Sequence, residues 1–236
     1  MNPHDQALQQ VLQNINNASR TVERPPARLL AVSKTQSAQA LAALAGQGQH
    51  AFGENYVQEA LGKIRALQAL GLEWHLIGPL QSNKCREAAE HFDWLQSLDR
   101  AKLIEPLGRY RPAGRAPLNV LIQVNADAEA SKSGCAPGEV LPLARAVAAA
   151  PRLRLRGLMS IGAPYPDFAQ RRASFRRLRE MFDALRQEFP HLDTLSMGMS
   201  EDYALAIEEG ATMVRVGSAL FGARARAPGP GTRDSK

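Results

Sequence analysis

Eight times along this chain a short run of aliphatic residues gives way to a longer segment whose apolar residues recur every three or four positions. The runs are Leu29 to Thr35, His50–Gly53, Trp74–Gly78, Trp94–Leu98, Leu118–Val124, Leu155–Gly162, Thr194–Gly198 and Met213–Gly217. Strands that are apolar on both faces and separated by helices pair in parallel, with the helices covering the sheet. Eight repeats without a break point to a closed α/β barrel, a single (β/α)8 or TIM barrel, and 236 residues suit that fold as one domain. An open, doubly wound sheet is the other arrangement, but it carries a Gly-rich fingerprint after its first strand, where this chain has Ser33-Lys34-Thr35.

Residues 3 to 19, with Leu8, Val11, Leu12 and Ile15 on one face, predict an extra helix ahead of the first strand, ended by Arg24-Pro25-Pro26-Ala27. The barrel is expected to occupy residues 1–222. The last segment, 223–236, contains Pro228-Gly229-Pro230-Gly231, has no apolar face, and reads as a disordered tail.

Charge and reactive residues narrow the function. The net charge of +6 comes from 23 arginines against six lysines. The densest basic run, Arg171-Arg172 through Arg176-Arg177-Arg179, lies in a helix that Asp167 would cap, with Phe168, Phe175, Leu178, Phe182, Leu185 and Phe189 along its apolar side. It reads as a solvated helix face, and no base-reading motif stands beside it, so nucleic acid is not an expected partner. Cys85 and Cys135 lack C-x-x-C spacing, and the five histidines form no pair at metal-ligand spacing, so reduced thiols and no zinc site are expected. No stretch has the length of a membrane span and the polar start Met1-Asn2-Pro3-His4-Asp5 has no signal-peptide core, which predicts a cytoplasmic protein without a membrane partner.

A parallel barrel does its chemistry at the carboxyl ends of its strands, and Lys34 stands at the end of the first. With its stem in apolar surroundings, a lysine there can supply a neutral amine able to condense with an aldehyde. On position alone, a lysine that caps a strand end and reaches out to water is the commoner arrangement. Two loops add to the chemical reading. Met197-Gly198-Met199-Ser200 offers a glycine for close approach and a serine at the N-cap of the next helix, and Arg215-Val216-Gly217-Ser218 offers donors after the last strand. These are the two places where a barrel holds a phosphate, although Ser200 by itself could be a plain helix cap.

Six segments carry a resemblance: Leu30-Ala31-Val32-Ser33-Lys34-Thr35, Phe52-Gly53-Glu54-Asn55-Tyr56-Val57-Gln58-Glu59, Trp74-His75-Leu76-Ile77-Gly78, Leu80-Gln81-Ser82-Asn83-Lys84, Ser196-Met197-Gly198-Met199-Ser200 and Val214-Arg215-Val216-Gly217. In order and spacing, from about Arg28 to Gly222, the chain resembles the pyridoxal phosphate homeostasis protein family, single-domain relatives of the alanine racemase barrel. The resemblance implies that Lys34 holds pyridoxal 5'-phosphate (PLP) as a Schiff base, and that Ser200, Gly217 and Ser218 bind its phosphate. It also implies that Arg215 faces the pyridine nitrogen and that Asn55, His75 and Met159 line the cofactor. Read as residues alone, His75 could equally be a core histidine and Met159 ordinary barrel packing.

An arginine can only donate, so it favours a neutral ring nitrogen and a weaker electron sink than a carboxylate would make. Racemisation would also need a second base opposite Lys34. In the racemase this barrel resembles, that base is a tyrosine brought with the help of a second, C-terminal β domain, and this chain ends where that domain would begin. Tyr56, Tyr110, Tyr165 and Tyr203 are the only tyrosines. The expected function is therefore reversible PLP binding in intracellular PLP homeostasis, without catalytic residues, by a monomer that could pass the cofactor to apo PLP-dependent enzymes. A weak PLP-dependent racemase is the alternative, and a cofactor-free lysine aldolase acting on a sugar phosphate is a third reading.

Overall fold

In the computed structural model, residues 3–127, 133–162 and 165–222 are described. The expected tail lies outside them. The chain begins with α1 (Pro3–Thr21), and eight strand-helix units follow: β1 (Arg28–Val32) with α2 (Ala38–Ala45), β2 (Ala51–Glu54) with α3 (Val57–Ala66), β3 (Glu73–Leu76) with α4 (Cys85–His91), and β4 (Trp94–Leu98) with α5 (Ile104–Tyr110). The second half adds β5 (Leu118–Gln123) with α6 (Val140–Ala149), β6 (Leu153–Met159) with α7 (Phe168–Glu188), β7 (Thr194–Ser196) with α8 (Tyr203–Glu208), and β8 (Met213–Val216) with α9 (Ser218–Phe221). All neighbours pair in parallel and β8 closes on β1, with Leu30 opposite Arg215, so the barrel is complete.

Strand alternation sorts the side chains into two compartments. Leu29, Ala31, Phe52, Leu76, Leu95, Val120 and Val214 point outward into the main apolar core, beneath the helices. The inward residues form two small apolar clusters, Leu30, Ile77 and Met213 on one side and Trp94, Leu121 and Met159 on the other. Between them the barrel interior holds His75, Gln96, Ser196 and Arg215, all buried. Strands that read as uniformly apolar thus carry a polar seam inside.

Helix α1 buries Leu8, Val11 and Ile15, and Asn14 Nδ2 donates to the Tyr203 hydroxyl of α8 at 3.1 Å. The capping expected of Asp167 is present, its carboxylate accepting from the amide of Ala169 at 3.2 Å. The arginines of α7 are largely matched with carboxylates: Arg172 binds Glu208 and Glu209, Arg176 reaches Glu209, Arg179 holds Asp183, and Arg177 is paired with Asp127. The run ties α7 to α8 rather than presenting a bare basic stripe. No helix among the described residues is long and apolar enough to cross a membrane.

A candidate cofactor site at the carboxyl end of the barrel

The carboxyl ends of β1, β7 and β8 surround a cavity of about 380 Å³ lined by Lys34, Ser200, Arg215, Gly217 and Ser218, together with Thr35, Arg171 and Asp202. Five of the eight expected residues therefore meet in one place. Asn55, His75 and Met159 do not line it. Asn55 is half-buried at the end of β2. Met159 is fully buried against Trp94 and Leu121. His75 lies inside the barrel, stacked on Trp94 with ring centroids 5.1 Å apart.

Lys34 sits just past β1 in a loop held on both sides. The Ser33 amide donates to the Gly53 carbonyl, its hydroxyl to Glu54 Oε1 at 2.5 Å, and its carbonyl accepts from Lys63 Nζ at 2.7 Å. Beyond the lysine, the Thr35 amide donates to Glu59 Oε1 at 2.5 Å, and Thr35 adopts a left-handed φ of 65°, a strained backbone for a β-branched residue. Lys63 ties these elements together, donating also to Glu54 at 2.8 Å and Glu59 at 2.6 Å. Burial raises the Glu54 carboxyl above its usual range, against the opposing pull of Lys63 and Ser33. Lys34 itself is half-buried, and its ammonium has no hydrogen-bond or ion-pair partner among the described residues.

Opposite the lysine, the loops after β7 and β8 meet. The Ser200 hydroxyl accepts from the Gly217 amide at 3.3 Å, joining the two loops. Ser200 is not the N-cap expected from the sequence. Asp202 holds that position, because the chain first turns through Met199 to Asp202, and Asp202 Oδ1 accepts from the Met199 amide at 2.7 Å. Gly198, at φ 89°, serves a different close approach from the expected one: a Cβ there would lie 2.5 Å from Cβ of Ala206, so the glycine lets α8 pack on the loop. The backbone amides of Ser200, Glu201 and Ser218 have no partner among the described residues. Unpaired donors on residues that line a cavity suit an anion.

Arg215 is 4% exposed, and burial lowers its guanidinium to about 10. Nη1 donates to Ser196 Oγ and Nη2 to the Ser160 carbonyl, both at 2.8 Å. Only two of five guanidinium donors thus have a partner among the described residues, so an acceptor is wanted from the cavity. No carboxylate among the described residues pairs with it directly. An unpartnered amine, free amides and an under-satisfied arginine fit an aldehyde that carries a phosphate and a neutral ring nitrogen.

Sequence reasoning missed the residues behind this wall. Gln96 and Ser196 hold Arg215 from within, and their signal was a polar residue at an inward position of an otherwise apolar strand. Arg171, assigned to a solvated face, instead reaches the cavity from the first turn of α7 and donates to the Tyr165 carbonyl. Cys85 and Cys135 are free and buried, with burial pushing the Cys135 thiol up to about 12.

His75 gives the interior a measurable pH dependence. Burial holds its imidazole below the ordinary value near 6.5, with Glu73 opposing. The unfolded chain then takes the proton first, so this contribution to stability is complete above about pH 6.5 and is lost as the pH falls toward the folded value. Glu54, with its raised value, has the opposite sign in the acid range. The urea midpoint of His75→Gln should consequently fall less than that of the wild type between pH 7.5 and 5.5; equal falls would mean that the buried imidazole contributes nothing.

The chain matches the alanine racemase N-terminal domain family over residues 7–225. It is 50% identical over 226 residues to the pyridoxal phosphate homeostasis protein of Pasteurella multocida strain Pm70, covering 93% of this chain and 97% of that one. It is 51% identical over 229 residues to the protein of the same name from Escherichia coli K12, covering 95% and 98%. Among solved structures, PipY of Synechococcus elongatus PCC7942 with PLP bound is 40% identical, with a TM-score of 0.77 over 89% of this chain and 99% of PipY. Taken with the closed barrel and its mouth, these likenesses show that the chain belongs to the pyridoxal phosphate homeostasis proteins, within the alanine racemase N-terminal domain family.

Proposed function

We propose that the cavity at the barrel mouth binds pyridoxal 5'-phosphate reversibly and that the chain serves intracellular homeostasis of this cofactor. The observation that carries this reading is the convergence on one cavity of a lysine without a partner, free backbone amides and an arginine with spare donors. When bound, the cofactor supplies an aldehyde that an amine can take up and later release. Lys34 would provide that amine, Ser200, Gly217 and Ser218 would hold the phosphate, and Arg215, able only to donate, would favour a neutral ring nitrogen. The shared family and the PLP-bound PipY support the same assignment.

The role is one of holding and releasing rather than turnover. None of the four tyrosines lines the cavity. Tyr203 is buried and engaged by Asn14, and Tyr56, exposed just past the end of β2, does not line the cavity. A second base opposite Lys34, which a racemase needs, is thus not supplied by a tyrosine of this chain. The buried free thiols suit the cytoplasm, where released cofactor could reach apo-enzymes.

Borohydride reduction of the PLP-loaded protein, followed by peptide mapping, tests the anchor. The label is expected on the Lys34 peptide and should vanish in Lys34→Ala; a label on Lys84 or Lys132 would overturn the assignment. A colourless protein that takes up no PLP would favour the cofactor-free aldolase reading. Exchange of amino-acid α-protons in deuterated water should not exceed that of free PLP, and a clear excess would establish the racemase.

A further inference from the structure

Behind Arg215 a single file of hydrogen bonds runs down the barrel. Ser196 Oγ, which accepts from Arg215 Nη1, lies 2.7 Å from Gln96 Oε1. Gln96 Nε2 lies 2.9 Å from His75 Nδ1, and His75 Nε2 lies 2.6 Å from Glu73 Oε1, which also accepts from Arg28 at 2.8 Å. His75, Gln96 and Ser196 are fully buried, and they come from three different strands.

The chemistry of the two ends fixes every proton between them. Arginine can only donate, so Ser196 accepts from it and gives its one hydrogen to the Gln96 oxygen. The Gln96 amide group then faces His75, whose Nδ1 must present a lone pair. The imidazole hydrogen sits on Nε2 and goes to the Glu73 carboxylate, which can only accept. Turning the Gln96 amide over would set its oxygen against that lone pair. One arrangement satisfies all five groups, and in it Ser196 presents only a lone pair to the guanidinium.

We infer that Gln96, through Ser196, is a positioning residue for Arg215, and that His75 and Glu73 anchor this file so that the guanidinium stays turned to the cavity. The inference rests on the reading that Arg215 faces the ring of bound PLP. It gives the polar seam a purpose that packing does not: three buried polar side chains would otherwise cost burial without adding apolar contact. Because the acceptors for Arg215 are neutral, its positive charge stays available to the ligand rather than being cancelled by a carboxylate. His75 thereby acts three hydrogen bonds away from Arg215, behind the cavity wall.

The test pairs Gln96→Met, of similar volume but without the amide's hydrogen bonds to Ser196, His75 and Met213, with Arg215→Met and the double variant. PLP affinity and the position of the bound cofactor's visible band are read for each. Gln96→Met is expected to weaken binding about tenfold and to shift the band, on the usual worth of a hydrogen bond to a charged group. In the Arg215→Met background the same change should alter binding less than twofold, since its effect passes through the arginine. Equal weakening in both backgrounds, or a Gln96→Met protein with wild-type affinity and band, would overturn the proposal. Should Gln96→Met not fold, Ser196→Ala removes the same link and must reproduce the loss and its dependence on Arg215. Nitrogen NMR of the ligand-free wild type gives a further check: His75 must carry its hydrogen on Nε2, and the other tautomer would refute the file. A wild type that takes up no PLP, with the NMR result intact, would instead strike the functional reading.

Discussion

Gly157→Ala should cost on the order of 4 kcal/mol, combining a strained backbone conformation with an overpacked contact. Gly157 has φ 149°, and a Cβ there would lie 1.9 Å from the Thr194 carbonyl oxygen and 2.9 Å from Phe182. The carbonyl belongs to the residue opposite Gly157 on β7, so the clash falls on the sheet pairing itself. The glycine also follows a bulge. Leu155 faces Val120 and Gly157 faces Leu121, so Arg156 is an extra residue in β6. That residue turns to stack over Trp94 at 4.7 Å and to pair with Asp193. β7 has only three residues and its last is Ser196, while the Ser160 carbonyl just beyond β6 is the other acceptor for Arg215. Pushing β7 from β6 would therefore loosen Arg215 as well as the barrel. The checks are the urea midpoint and PLP uptake by whatever protein folds. A midpoint within about 1 kcal/mol of the wild type would show that the strands give way at little cost.

The barrel was legible because its signal is repeated. Eight apolar runs at steady intervals, and no Gly-rich fingerprint beside Ser33-Lys34-Thr35, leave few closed alternatives, and all eight strands form with ends shifted by no more than three residues. β6 begins two residues earlier than the pattern suggests and stops at Met159, because the bulge at Arg156 resets which residues face inward. The mouth was legible in part: Lys34, Ser200, Arg215, Gly217 and Ser218 stand at strand ends, where topology alone brings them together. The interior was not, since a residue such as Gln96 gives no sign in sequence of what lies across the barrel from it. Helix α3 shows the same limit. Its apolar spacing put Val57, Leu61, Ile64 and Leu67 on the buried side, yet the structure buries Val57, Ala60, Lys63 and Leu67 and leaves Leu61 and Ile64 partly covered. The helix is rotated because Lys63 has two carboxylates and a carbonyl waiting for it, and those partners arrive from β2, from its own first turn and from the loop that bears Lys34.

Lys63→Met should accordingly be among the most damaging single changes near the site, with a loss of about 3–5 kcal/mol, because it leaves a buried charge without its partner. Glu54 is fully buried, its Oε2 has no hydrogen-bond partner, and after the substitution only Ser33 would still donate to it. The carboxyl would then take up a proton on folding, so the deficit should shrink below about pH 5 and grow toward neutrality, the sense expected when the folded group binds the proton more tightly than the unfolded one. Adding Glu54→Leu removes the stranded charge and should recover most of the stability, as replacing both partners of a buried pair often does. The Lys34 loop provides the second readout. Without Lys63 the Ser33 carbonyl loses its donor, and Glu59, which holds the strained Thr35, loses the ammonium that orients it. In the double variant, stable but without the brace, PLP should label Lys34 more slowly at equal concentration. Recovery of both stability and labelling rate would mean that the ion pairs around Lys63 support the fold alone, and that the geometry of Lys34 is set by β1 without them.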